Sequence, residues 1–400
     1  MPERRRAGHR VAGILAGAVV ITVVGLGVKF GLFGTMRLGT AGSASSTTTF
    51  NQDSPQSELN EGLRRGDPRA LAFIQQRATP APDAPRLPLT DAQAAAWVET
   101  LASLRAGFPR LAAPGRAAAV NAACRILDKF VVEPAPAIWI ECLNPIHDLL
   151  KASLWDAEQM PRYTALIEVG RLWVWIPGRS LMPFEEQTLG EWKGAIHPPV
   201  VRCLAARDPE TRMAAVACLG TLPIDSAAVP AVAYVEDPVA DVRKQTLSSF
   251  AQRNSVLTDD MLLKRLHDDE PSIREMASLI LKTRGLSQEL ISLGGLIYSP
   301  KPEQRVSVIP LLKNRTDLDP VIWLIQLSRD PVEMVRMRSI EALAMHKAPN
   351  VLRRLAEMAR SDGSPAVRQA ASKAVPSGDG EKTAALPPLP GSSSLNPKAN

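Results

Sequence analysis

The chain has 400 residues, of which 45% are hydrophobic and 22% charged, a globular composition that excludes a wholly disordered or collagen-like polymer. Only 3 Tyr and 8 Phe accompany abundant Ala and Leu, and alternating apolar and polar stretches are scarce, which argues against a β-sandwich or barrel and for an all-α fold. Half of the formal charge of +6 sits in the first ten residues, where Arg4, Arg5, Arg6 and Arg10 stand against Glu3; the nearly balanced remainder gives no electrostatic reason to expect nucleic acid as a partner.

In chain order, Val11 to Val28 forms 18 residues without a charge, the lower edge of a membrane span. Residues 1–34 therefore read as a cytoplasmic basic stub followed by a single transmembrane anchor. A cleaved signal peptide is the competing reading, with small residues at Ala41 to Ala44, but the apolar run is long for a signal core and those residues lie well beyond it. Four basic residues before the run, against Lys29 and Arg37 after it, place the N-terminus in the cytoplasm and the bulk outside, in a periplasm-like compartment, or secreted if cleavage occurs. Residues 35–90 read as a flexible linker with a short helix around Glu58 to Arg77, broken by the prolines of Thr79 to Pro85. Thr90 is a good N-cap for a helix from Asp91 to about Ala106. Further helices are expected over Gly115 to Phe130, Ala137 to Leu154 and Tyr163 to Trp175, making 91–197 a divergent helical N-terminal cap. The last segment, 376–400, reads as a disordered tail.

The strongest signal is an internal repeat. Arg212, Arg243, Arg274, Arg305, Arg336 and Arg368 are spaced by 31, 31, 31, 31 and 32 residues. Three residues after each stands a small or β-branched side chain (Ala215, Thr246, Ala277, Val308, Ser339, Ala371). Seven after stands an apolar one (Leu219, Phe250, Leu281, Leu312, Leu343, Val375). These offsets share one helix face. Asp208-Pro209, Asp237-Pro238 and Asp330-Pro331 supply start signals, a capping Asp before a Pro at the first helical position. A short apolar helix precedes each start, as in Val200 to Ala206, Val229 to Val235, Met261 to Leu266, Val321 to Leu327 and Val351 to Met358. Each unit is a pair of antiparallel helices that cannot bury its stripe alone, so 198–375 is expected to stack as six repeats of an α-solenoid.

The pattern Asp-Pro-x-x-x-Val-Arg, seen in Asp237 to Arg243 and Asp330 to Arg336, resembles HEAT repeats, and its 31-residue period is similar to the short type associated with phycobiliprotein lyases. The resemblance implies that the recurrent charges bridge adjacent repeats, here Asp237, Asp268, Asp330 and Asp362 with the six arginines. The competing reading is a ladder of arginines gripping an acidic ligand. Repeat four departs from the pattern: Ser299 replaces Asp, Gln304 replaces the apolar residue before Arg305, Gly294-Gly295 lie in its first helix and Pro310 in its second. A kink is expected there, because an internal proline costs a helix about 3 kcal/mol.

Chemistry is sparse. His9, His147, His197, His267 and His346 are dispersed, without the spacings that bring metal ligands together, and phosphate-loop, nucleophile-elbow and Cys-x-x-Cys motifs are lacking. No catalytic, cofactor-binding or metal-binding residue is assigned. Cys124 and Cys142 lie at similar distances from a turn near residue 133, so an α-hairpin brings them to equal height, where a disulfide competes with simple packing. Two functions remain open. One is a non-catalytic, membrane-anchored scaffold that binds a protein through a face containing Met213, Lys244, Glu275, Val306 and Met337, one residue after each of five arginines; the bland reading of that face is ordinary solvent exposure. The other is a carrier or lyase-like protein for a pigment or small molecule, using as a pocket the region that holds Trp97, Trp139, Trp155, Trp173 and Trp175. The bland reading of those tryptophans is a helical cap over the end of the stack.

Overall fold

The computed structural model describes residues 50, 54–79, 88–130, 137–175, 183–222, 225–313 and 318–375. The basic stub, the apolar run at 11–28, the small-residue stretch at 41–44 and the tail at 376–400 lie outside the described residues. Among the described residues every regular element is helical, and none is long and apolar enough to cross a membrane. They form two compact units, dividing between Ser249 and Phe250.

The first unit contains α1 (Gln56–Arg65), α2 (Pro68–Ala78), α3 (Asp91–Gly107), α4 (Ala113–Lys129), α5 (Leu143–Leu154), α6 (Gln159–Trp175), α7 (Pro183–Cys203), α8 (Pro209–Gly220), α9 (Asp225–Val232) and most of α10 (Ala240–Phe250). Two layers run through it. The first helices of successive pairs pack as α1 on α3, α3 on α5 and α5 on α7, and the second helices as α2 on α4, α4 on α6 and α6 on α8. Residues 56–78, expected as linker with one helix, are thus the opening helix pair. Their Leu59, Leu63, Leu71 and Ile74 are buried, an apolar stripe too wide to leave in solvent. Gly107 permits the close approach of α3 to α1, since a Cβ there would stand 1.8 Å from the Leu63 carbonyl oxygen.

The second unit contains α11 (Asp259–Arg265), α12 (Pro271–Thr283), α13 (Gln288–Ile297), α14 (Pro302–Val306), α15 (Val308–Lys313), α16 (Pro320–Leu327), α17 (Glu333–Leu343), α18 (Pro349–Ser361) and α19 (Pro365–Ala374). Here too first helices meet first helices, α11 on α13 and α16 on α18, while α14, α17 and α19 form the second layer. The repeat columns behave as their spacing demands: the residue three after each arginine is buried at all six positions, and the residue seven after is buried at five and half-buried at Val375.

Local rules explain most helix ends. Thr90 and Gln93 form a capping box, Thr90 Oγ1 accepting from the Gln93 amide and Gln93 Oε1 from the Thr90 amide. Asp208 caps α8 ahead of Pro209, accepting from the Thr211 amide at 2.8 Å. The other two Asp-Pro signals act differently from the expectation. α10 begins at Ala240 and α17 at Glu333, while Asp237 and Asp330 accept the amides of Val239 and Val332 in turns just upstream. Their carboxylates are engaged by arginines of the preceding helix pair, which holds them outside the helix. The helix containing Pro310 is split at Ser307 into α14 and α15. Pro310 has no N–H to donate to the Val306 carbonyl, and its ring crowds that group, so the break falls one turn before the proline. The boundary expected at residue 198 instead falls inside α7, which continues through Pro198 and Pro199. Burial of Leu189, Trp192, Ile196 and Val200 along α7 offsets the missing hydrogen bonds.

Candidate functional site

The recurrent arginines share one local geometry. Near the start of the second helix of each pair, the Nη1 group reaches back to the carbonyl six residues earlier. Arg162 donates to Asp156, Arg212 to Ala206, Arg243 to Asp237, Arg274 to Asp268, Arg305 to Ser299, Arg336 to Asp330 and Arg368 to Asp362, at 2.7 to 3.0 Å. That bond fastens the loop to the helix and turns the remaining fork toward the next pair.

Four forks close on a carboxylate with two bonds each. Arg116 meets Asp156 at 2.5 and 2.9 Å, Arg212 meets Asp237 at 2.8 and 2.9 Å, Arg305 meets Asp330 at 2.6 and 2.9 Å, and Arg336 meets Asp362 at 2.9 and 2.9 Å. In each, the aspartate also accepts the amide two residues ahead. Burial pushes the Asp156 and Asp362 carboxyls up, but hydrogen bonds from Arg116 and Arg336 outweigh it and hold both below the usual carboxylate range. These charges are spent inside the stack, so closed rungs do not grip an external acid. Ser299, where repeat four lacks its aspartate, keeps the turn by accepting the Lys301 amide on Oγ at 3.1 Å. The rungs at Arg116 and Arg162 lie in the segment expected as a divergent cap. The spacing Asp156 to Arg162 equals that of Asp237 to Arg243 and Asp330 to Arg336, a signal that reveals Arg162 in the sequence.

The expected binding face is only partly a face. Lys244 and Glu275 are exposed, but Met213 is buried at 8% exposure, and Val306 and Met337 pack half-buried against the core of the second unit. Met213 is lost to solvent because α8 is covered by α6, α7 and α9. Of the two readings of Cys124 and Cys142, a disulfide or simple packing, the structure has the second: all four cysteines are free and buried. Residues 137–142 form a 3-10 helix rather than the start of an α-helix. Burial raises the Cys124 and Cys142 thiols far above their ordinary value.

The described tryptophans occupy different settings. Trp139, Trp173 and Trp192 are buried in the core, and Trp139 Nε1 donates to Glu185 at 2.7 Å. Trp97 lies between Arg77 and Lys129, each 5.6 Å from its ring. The side chain of Trp175 lies outside the described part. Trp155, 54% exposed, carries the Arg202 guanidinium 4.2 Å above its ring.

Beside Trp155 the turns α5–α6 and α7–α8 enclose a cavity of about 340 Å³, lined by Arg162, Arg202, Cys203, Arg207, Asp208 and three alanines. Burial pushes the Cys203 thiol up to about 11, despite Arg162 and Arg202, so it stays protonated and unreactive at neutral pH. Burial raises the Asp208 carboxyl, and hydrogen bonds from Thr211 and Arg162 more than reverse this. Among the described residues no group of His, Cys, Asp and Glu is placed to hold a metal. His197 and His267 each bond a single backbone carbonyl, of Ala227 and Gly295. The cavity lining brings three guanidiniums together with one carboxylate and a protonated thiol, an arrangement that can bind charged groups.

No curated protein matches the chain. Residues 290–375 match the family model for HEAT repeats, and the stacked helix pairs of this segment are consistent with that similarity.

Proposed function

We infer that the protein is a non-catalytic HEAT-repeat scaffold that binds a protein partner and is held at a membrane by residues 11–28, with the repeats on the far side from the basic N-terminus. The observation that carries the reading is the repeat stack itself. Stacked helix pairs bury a continuous core and leave an extended row of solvent-facing positions, the usual interaction surface of such arrays. The HEAT match at 290–375 supports it. The anchor rests on the charge-free run and on the excess of Arg before it.

Crosslinking and affinity purification of the full chain from membranes tests this reading, compared with a variant carrying Lys244→Glu and Glu275→Lys. A specific protein recovered with the native chain and depleted with the variant is expected. Recovery of no protein by either form ends the scaffold reading. Deleting residues 11–28 should move the chain from the membrane to the soluble fraction; retention on membranes would refute the anchor.

A further inference from the structure

Of the five arginine–aspartate rungs described above, one is open. Arg162 makes a single contact with Asp208, Nη2 to Oδ2 at 3.3 Å, where every other fork makes two, the longest at 2.9 Å. Its Nε–H is buried and has no hydrogen-bond partner. An orphaned donor on a cation costs free energy unless something accepts from it. This donor belongs to the one rung that borders the 340 Å³ cavity.

We propose that this cavity binds the carboxylate of an acidic peptide segment, which accepts from the Arg162 fork and sits between Arg202 and Arg207, while an apolar neighbour in the same peptide covers the open face of Trp155. The proposal rests on the protein-interaction reading and names the chemistry of the partner. Three guanidiniums line the cavity against one carboxylate, and Asp208 is already committed to capping α8 through the Thr211 amide. Arg207 has no acidic partner among the described residues, and Arg202 is held over the indole rather than by an acid. The neighbouring acids Glu158 and Glu210 are exposed and do not line the cavity. A guanidinium fork matches a carboxylate in bidentate geometry, and the volume suits a side chain rather than a large cofactor. A peptide is favoured over a free inorganic anion because an anion alone leaves Trp155 bare. Exposed tryptophan and arginine together are the residues most enriched where proteins bind proteins.

The test uses the full-length chain in detergent and a fluorescent peptide of alternating Glu with Phe and Leu, beside its Gln counterpart. The Glu peptide is expected to bind at least about tenfold more tightly than the Gln peptide, and Arg202→Glu with Arg207→Glu to remove about tenfold or more of that affinity. Neither change touches the Arg162 rung, and an unchanged thermal midpoint confirms folding; Lys244→Glu serves as the control. Equal affinity for both peptides, or the same loss in the control as in the double variant, overturns the proposal. Inorganic phosphate binding as tightly as the Glu peptide also overturns it, in favour of a simple anion site. If the membrane partner still crosslinks to the double variant, the scaffold reading stands and the pocket alone falls.

Discussion

Arg305–Asp330 and Arg162–Asp208 are the same residue pair at the same step of two repeats, yet the first is closed by two short bonds and the second by one long one. Between Arg305 and Asp330 the chain carries the 6-residue α15 and the 8-residue α16; between Arg162 and Asp208 it carries the single 21-residue α7. Residue type therefore makes a rung available without by itself closing it. A closed rung is structural glue, while the open one leaves a buried, unpartnered donor on an arginine that lines a cavity.

The largest effect that can break this comparison is Arg305→Ala. Arg305 and Asp330 are each 8% exposed, so truncation strands a buried carboxylate and should cost about 3–5 kcal/mol, read as a drop in the thermal midpoint. Acid should act next, through several rungs together. Asp156, Asp208 and Asp362 are held below their ordinary range in the fold, so between the folded and unfolded values the unfolded chain binds more protons. Their stabilisation is complete above the unfolded value of about 4 and is lost as pH falls through the lower folded values. Urea midpoints that stay flat from pH 5 to pH 2.5 would contradict this. Arg162→Ala should be milder, about 1–2 kcal/mol, because Asp208 keeps its bond from Thr211; a loss matching that of Arg305→Ala would erase the distinction between open and closed rungs. The smallest change is constructive. Ser299→Asp supplies Arg274 with the missing carboxylate and should raise stability by less than about 1 kcal/mol, while lowered stability would show that repeat four cannot host a rung.

The arginine column, its small and apolar companions and the break near Pro310 were legible in the sequence because each follows from helical periodicity or from proline's missing donor. Part of the site was legible as well, in the Asp156 to Arg162 spacing. The binding face was misread at Met213, since an offset along one helix does not reveal that α8 is covered by three neighbours. The opening pair α1–α2 was masked by prolines and polar residues that suggest linker, although Leu59, Leu63, Leu71 and Ile74 form its buried stripe.

The sequence by itself determined the helix pair, its period and the identity of the charges that tie pairs together, because these depend on residues a turn or one repeat apart. Only the tertiary structure decided that α7 runs on through Pro198 and Pro199, that Cys124 and Cys142 are buried as free thiols, and that the Arg162 fork is left open beside a cavity. Those outcomes depend on how buried surfaces from several helices fit at once, and packing of that kind outweighs local preference.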